Sequence, residues 1–134
     1  MKRMNKLVTL LIAILPALAF SQTKNTTKTD KEIGELICHK WQLTHMGNHG
    51  KLAPVPAGLT TYLLINKDGT MVETDGGTVY PGKWTLSHSV LSVTNDGKGP
   101  VEKYKIVQVT DTELIYETNE DGMTTKMKMK RVNE

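Results

Sequence analysis

Residues 113–131 read ELIYETNEDGMTTKMKMKR. Two runs of alternating polarity flank an Asp-Gly pair, the strongest short-range signal for a β-hairpin. With Asp121 and Gly122 as the two central turn residues, Tyr116 falls opposite Met127 and Leu114 opposite Met129. Glu117 then faces Lys126, and Glu113 faces Lys130, on the other side. Each such cross-strand pair contributes about 0.2–1 kcal/mol. A three-residue turn would slip the register by one and undo this sorting, so the two-residue turn is expected. The result is a hairpin with one apolar and one charged face.

Upstream the same grammar repeats. Trp41, Leu43 and His45 alternate with Lys40, Gln42 and Thr44 to give a first strand. Further strands are expected at 60–66, 71–74, 78–86, 90–94 and 101–110, followed by the two of the hairpin at 113–118 and 123–131. The links are turn chemistry: Asn66-Lys67-Asp68-Gly69, Asp75-Gly76-Gly77, Ser87-His88, and Asn95-Asp96-Gly97. Pro81-Gly82 interrupts the fourth strand. A Pro inside a strand marks an edge or a bulge, so pairing there is expected to start only at Lys83. One link is long: residues 46–59, MGNHGKLAPVPAGL, after the first strand. Ahead of it, Ile33, Leu36 and Ile37 recur at helical spacing behind Asp30 as cap, and Gly34 limits that helix to one or two turns. Eight strands joined mostly by short hairpins predict an all-β fold, an eight-stranded up-and-down antiparallel barrel with a short N-terminal helix. An interior of this size either fills with side chains or holds one small ligand.

The beginning of the chain reads differently. Lys2, Arg3 and Lys6 precede an apolar run over 7–18, with Pro16 near its end and small residues at Ala17, Ala19 and Ser21. This is the layout of a secretory signal peptide, and the run is too short to span a bilayer. Cleavage fits after Ala19 or after Ser21, the second being preferred. The expected organisation is a signal peptide at 1–21, a flexible polar tether at 22–31 (QTKNTTKTDK) and a barrel domain at 32–134. The expected location is periplasmic or extracellular, with no membrane span.

Losing the leader removes three basic residues, which takes 17 Lys and Arg down to 14, equal to the 14 Asp and Glu. A domain without basic surplus argues against a nucleic-acid partner. Cys38 is the single cysteine, so no internal disulfide forms. It reads as a small buried apolar residue or, in an oxidising compartment, as half of an intermolecular bridge.

No constellation specifies a reaction. His45 and His49 are four apart, but the second lies in a Gly-flanked loop, and no Cys pair or carboxylate at ligand spacing accompanies them. Met123, Met127 and Met129 alternate with lysines, as the inside of a strand does. Ser87 and His88 are neighbours at a turn, and sequence neighbours rarely form a triad. Glu113, Glu117, Glu120 and Asp121 read as a solvated acidic face. No catalytic residue, metal ligand or cofactor is expected.

A short helix, an early Trp in HKWQL (39–43), a long first loop, TYLLINKDGT (61–70) and GKWTL (82–86) together resemble the secreted lipocalin-like domains of bacteria, particularly those of Bacteroidetes. The resemblance covers roughly residues 33–131. Trp41 matches the Trp of the lipocalin Gly-x-Trp, with His39 at the Gly position. Arg131 matches the late Arg that stacks over that Trp by cation–π attraction. Trp41 and Arg131 would therefore close the bottom of the barrel. The resemblance implies a non-enzymatic protein binding a small apolar molecule in a lumen lined by some of Leu43, Leu64, Trp84, Leu91, Tyr104, Ile106, Leu114, Tyr116, Met127 and Met129. In the same picture the 46–59 loop folds over the mouth as a lid. The rival expectation is a filled barrel that contacts a protein partner through the 46–59 loop, as an inhibitor or a subunit of an envelope assembly.

Overall fold

Pairs of residues in the left-handed region decide where the chain reverses. Asp121 (φ 52°) with Gly122 (φ 80°), Gly76 (φ 55°) with Gly77 (φ 90°), and His88 (φ 51°) with Ser89 (φ 63°) each form a two-residue turn whose twist matches the strands it joins. The computed structural model describes residues 28–49, 51–96 and 98–133. The expected signal peptide and residues 22–27 of the expected tether lie outside the described residues.

The elements run α1 (Asp30–Ile37), β1 (Lys40–Asn48), β2 (Ala53–Pro54), β3 (Thr61–Ile65), β4 (Thr70–Asp75), β5 (Thr78–Ser87), β6 (Val90–Asn95), β7 (Lys98–Val109), β8 (Glu113–Glu120) and β9 (Met123–Arg131). Strands β3 to β9 follow one another as antiparallel neighbours, and β1 pairs with both β3 and β9, which closes the barrel. Eight long strands thus form the expected up-and-down barrel, with the two-residue β2 added against β1. The β8–β9 register is the one polarity demands: Tyr116 opposite Met127, Leu114 opposite Met129, Glu117 opposite Lys126, Glu113 opposite Lys130. The carboxylate of Glu113 pairs with Lys128 instead, at 2.9 Å.

Four local expectations need correction. The first is the helix cap. Thr29 caps α1, its side chain accepting from the Glu32 amide while Glu32 returns a bond to the Thr29 amide. Asp30 and Lys31, at the end of the expected tether, form the first turn. The Asp30 carboxylate instead accepts from the amides of His88 (2.8 Å) and Ser89 (2.9 Å), pinning the β5–β6 turn to α1. The second is β5, which pairs with β4 from Thr78 onward and with β6 only from Gly82 to Ser87. Pro81 stands where one side of the strand is still open, a position that tolerates a missing donor. Gly82 follows because a Cβ there would lie 2.7 Å from the Thr94 carbonyl oxygen.

The third is strand parity. β1 carries a bulge between Leu43 and His45, where Thr44 donates to the Lys128 carbonyl, 3.1 Å. Past the bulge the alternation flips, so Met46 rather than His45 follows Leu43 on the inner face. In β3, Leu63 and Ile65 are buried and Leu64 lies on the outer face. The run TYLLI is apolar on both faces there, so alternation alone does not choose between them. The fourth is the long loop. It folds back along β1, with Ala53 opposite Met46, Pro54 opposite His45 and the Val55 amide donating to the Thr44 carbonyl at 3.0 Å. It fills the wall where β3, paired only with Lys40 to Gln42, has diverged from β1. It is a wall segment, and the expected lid is absent from the mouth apart from Leu59.

One end of the barrel is packed solid. Trp41, Leu63, Ile65, Met71, Leu91, Val93, Ile106, Leu114 and Met129 are all at most 7 % exposed and meet in one cluster. Ile33 and Ile37 of α1 seal it from below, and the Trp41 indole Nε1 donates to the Ile37 carbonyl at 2.9 Å.

Candidate functional site

The other end is hollow. Strands β1, β4, β7, β8 and β9 send inward side chains above the packed half, and these line a cavity of about 660 Å³ open at the mouth. Its apolar surface comes from Leu43, Met46 and Met127, with Leu59, Pro100 and Val101 at the rim. Its polar surface comes from Thr61, Glu73, Asp75, Glu102, Tyr104, Tyr116, Thr118 and Glu120, among others. A recess of about 210 Å³ shares Glu73, Asp75, Glu102 and Tyr104 with it and adds Tyr80 and Asn95. The main volume lies in the range of small-molecule sites, about 300–1,000 Å³.

Two tyrosines form the inner wall. Tyr104 and Tyr116 stack with centroids 4.8 Å apart and planes 25° from parallel. The Tyr104 hydroxyl donates to Glu102 Oε2 at 2.9 Å. Burial, first of all, pushes both phenols well above their ordinary range, and the nearby Glu73 and Glu102 carboxylates push further. Both therefore stay protonated and neutral. Glu73 is also shifted: burial, then Glu102, then Asp75, raises its carboxyl. Burial is the largest cause of all three shifts, and the neighbouring oxygen acids add to it.

The lipocalin-like domain model matches residues 37–116, which is 80 of the 134 residues. The chain belongs to the lipocalin-like domain family. No curated protein matches it, and no solved structure does. The match runs from the end of α1 to the middle of β8. The rest of β8 and β9 complete the same barrel by returning to β1.

Of the ten lumen residues expected from sequence, Leu43, Tyr104, Tyr116 and Met127 line the cavity of this lipocalin-like domain. Leu91, Ile106, Leu114 and Met129 face inward but lie in the packed half, forming its floor and core. Leu64 is outside, for the parity reason given above. Trp84 is also displaced from the cavity. It sits far along β5, in the half covered by α1, where its Nε1 donates to the Asn66 carbonyl at 2.9 Å. There it borders an open recess with Lys31, Gly34, Cys38 and Leu86. The Cys38 thiol, half-buried in that recess, sits 3.1 Å from the Gly34 carbonyl, and burial raises its pKa against a smaller opposing effect of Lys67.

Trp41 lies fully buried beside α1, and Arg131 does not stack on it. Arg131 pairs with Trp41 in register, yet its guanidinium turns to the Asp111 carbonyl at 3.5 Å. The Trp41 ring meets His39 edge-on at 6.2 Å. Among the described residues, no three of His, Cys, Asp and Glu converge closely enough to hold a metal ion, and no helix is long and apolar enough to cross a membrane.

Sequence reading passed over Glu73, Asp75, Glu102 and Met46. The signal was present for the acids: Glu73 and Asp75 share the period-two face of the buried Met71, and Glu102 shares that of Tyr104. Glu120, read from sequence as part of an outer acidic face, lines the rim.

Proposed function

We propose that this chain is an exported bacterial binding protein, without enzymatic activity, that holds a small and largely apolar molecule in the mouth half of its barrel. One observation carries the reading: a cavity of about 660 Å³ that opens to solvent above a fully packed base. Export rests on the leader pattern at 1–21, and a Bacteroidetes-type relationship rests on the sequence resemblance. The rival, capture of a protein partner by the 46–59 loop, has less support, because the loop backbone at Ala53 to Val55 is already bonded into the wall.

Titration with N-phenyl-1-naphthylamine, a neutral apolar fluorophore, tests the reading. Saturable binding at one site is expected. Leu43→Trp, which adds bulk at the cavity floor, is expected to weaken it tenfold or more with an unchanged far-UV circular dichroism spectrum. Absence of saturable binding, or binding indifferent to Leu43→Trp, would overturn the proposal. Native mass spectrometry of protein purified from its own host then identifies any retained molecule.

A further inference from the structure

We propose that the molecule held in the cavity is a cationic amphiphile: a protonated organic amine carried on an apolar body. This rests on the lumen-binding reading above and narrows it to a chemical class. Among the described residues, four carboxylates line the cavity (Glu73, Asp75, Glu102 and Glu120) against one ammonium, Lys103. Lys103 lies on the outward beat of β7, between the inward Glu102 and Tyr104, and is exposed. None of the four carboxylates is in an ion pair among the described residues. Burial, then the neighbouring Glu102 and Asp75 carboxylates, raises the cost of ionising the half-buried Glu73. A cation entering that space relieves the cost, and an anion adds to it.

A second observation is independent of the acids. Tyr116 is 5 % exposed and lines the cavity, and its hydroxyl makes no hydrogen bond among the described residues. No fully buried side-chain polar atom among the described residues lacks a partner, so the unpaired Tyr116 hydroxyl reaches the accessible space of the cavity, where a ligand's polar group can meet it. Its oxygen can accept from an N–H, and the neighbouring ring faces attract a cation. The apolar part of the ligand has its own surface in Leu43, Met46 and Met127. The carboxylates do not converge as a metal site would, which suits a cation that brings its own apolar frame.

Isothermal titration of the purified protein with octylammonium, 1-octanol and octanoate separates this proposal from the reading beneath it. The three probes share one chain and differ in charge. The amine is expected to bind at least tenfold more tightly than the alcohol, with the carboxylate weakest, and the amine's advantage is expected to shrink in 0.5 M salt. Equal affinities, or an advantage for octanol or octanoate, would overturn the charge proposal and leave the lumen reading standing. No binding by any probe would remove both. In Glu73→Gln and Glu102→Gln the amine-to-alcohol affinity ratio is expected to fall about tenfold. An unchanged ratio in both, whatever the individual affinities, would mean that the carboxylates shape the cavity without recognising charge, and the proposal would fail.

Discussion

Replacing Trp41 tests how the base of the barrel is held. The side chain is fully buried, lies between α1 and the β-sheet core, and bonds the Ile37 carbonyl through Nε1 at 2.9 Å. Truncation of a buried Trp to Ala costs about 3–5 kcal/mol through lost transfer energy and the cavity left behind. A domain of this size has about 5–15 kcal/mol in total, so Trp41→Ala is expected to be marginal. Trp41→Phe separates the two contributions. It keeps much of the ring and removes the donor, while the Ile37 carbonyl still accepts from the His39 amide at 2.8 Å. Loss of the indole bond is therefore worth about 0.5–1.5 kcal/mol. Each kcal/mol lowers the melting temperature by about 4–8 °C in a domain near 100 residues. Urea denaturation of both variants, followed by Trp84 fluorescence and far-UV circular dichroism, gives the two differences. A loss below about 1 kcal/mol for Trp41→Ala would refute the account of a base sealed by α1 over Trp41.

Asp30→Ala is expected to cost about 1–2 kcal/mol in the same assay, because the carboxylate accepts from both amides of a turn whose residues sit at positive φ without being glycine. An unchanged urea midpoint would mean that the turn holds itself. Glu73→Gln gives a pH signature. Glu73 faces Asp75 on its own strand, Tyr80 on β5, Glu102 and Tyr104 on β7 and Tyr116 on β8, with no ion pair to any of these carboxylates among the described residues. Its raised carboxyl binds a proton more tightly folded than unfolded. The resulting stability is fully present below the unfolded carboxyl value of about 4.3 and is lost as pH rises through the folded value. Glu73→Gln is therefore expected to melt above the parent at pH 7 and level with it at pH 3.5. An equal gain at both pH values would refute the linkage.

The architecture was legible where side-chain alternation and turn chemistry agreed. In the β8–β9 hairpin, Asp121-Gly122 and the sorting of Leu114, Tyr116, Met127 and Met129 each specify the same register. Legibility failed where one signal was silent. Nothing in TYLLI distinguishes Leu63 from Leu64, and nothing in KWQLTHMGN announces the bulge at Thr44 that turns Met46 inward. The cavity suffered from a further ambiguity. Leu91, Ile106, Leu114 and Met129 carry the right parity, but depth along the barrel axis decides whether an inward residue is core or lining, and depth depends on register across all the strands. A carboxylate in a strand normally marks the outer face, and Glu73 and Glu102 break that rule.

That breach has a physical logic in the way the barrel is divided. The same strands supply apolar residues to one half and acids to the other: Met71 then Glu73 and Asp75 along β4, Tyr104 and Glu102 along β7. The packed half, from Trp41 to Met129, buries the large aliphatic and aromatic side chains and carries the folding energy. The mouth half then tolerates the half-buried Glu73, which has no ion pair among the described residues, a local arrangement that opposes stability. Local rules broken inside an otherwise consistent fold concentrate at functional sites. A barrel needing only to be stable would continue its apolar layers to the mouth. Here the layers stop at Leu43, Tyr104 and Tyr116, and what stands above them is an open cavity with Glu73, Asp75 and Glu102 in its wall.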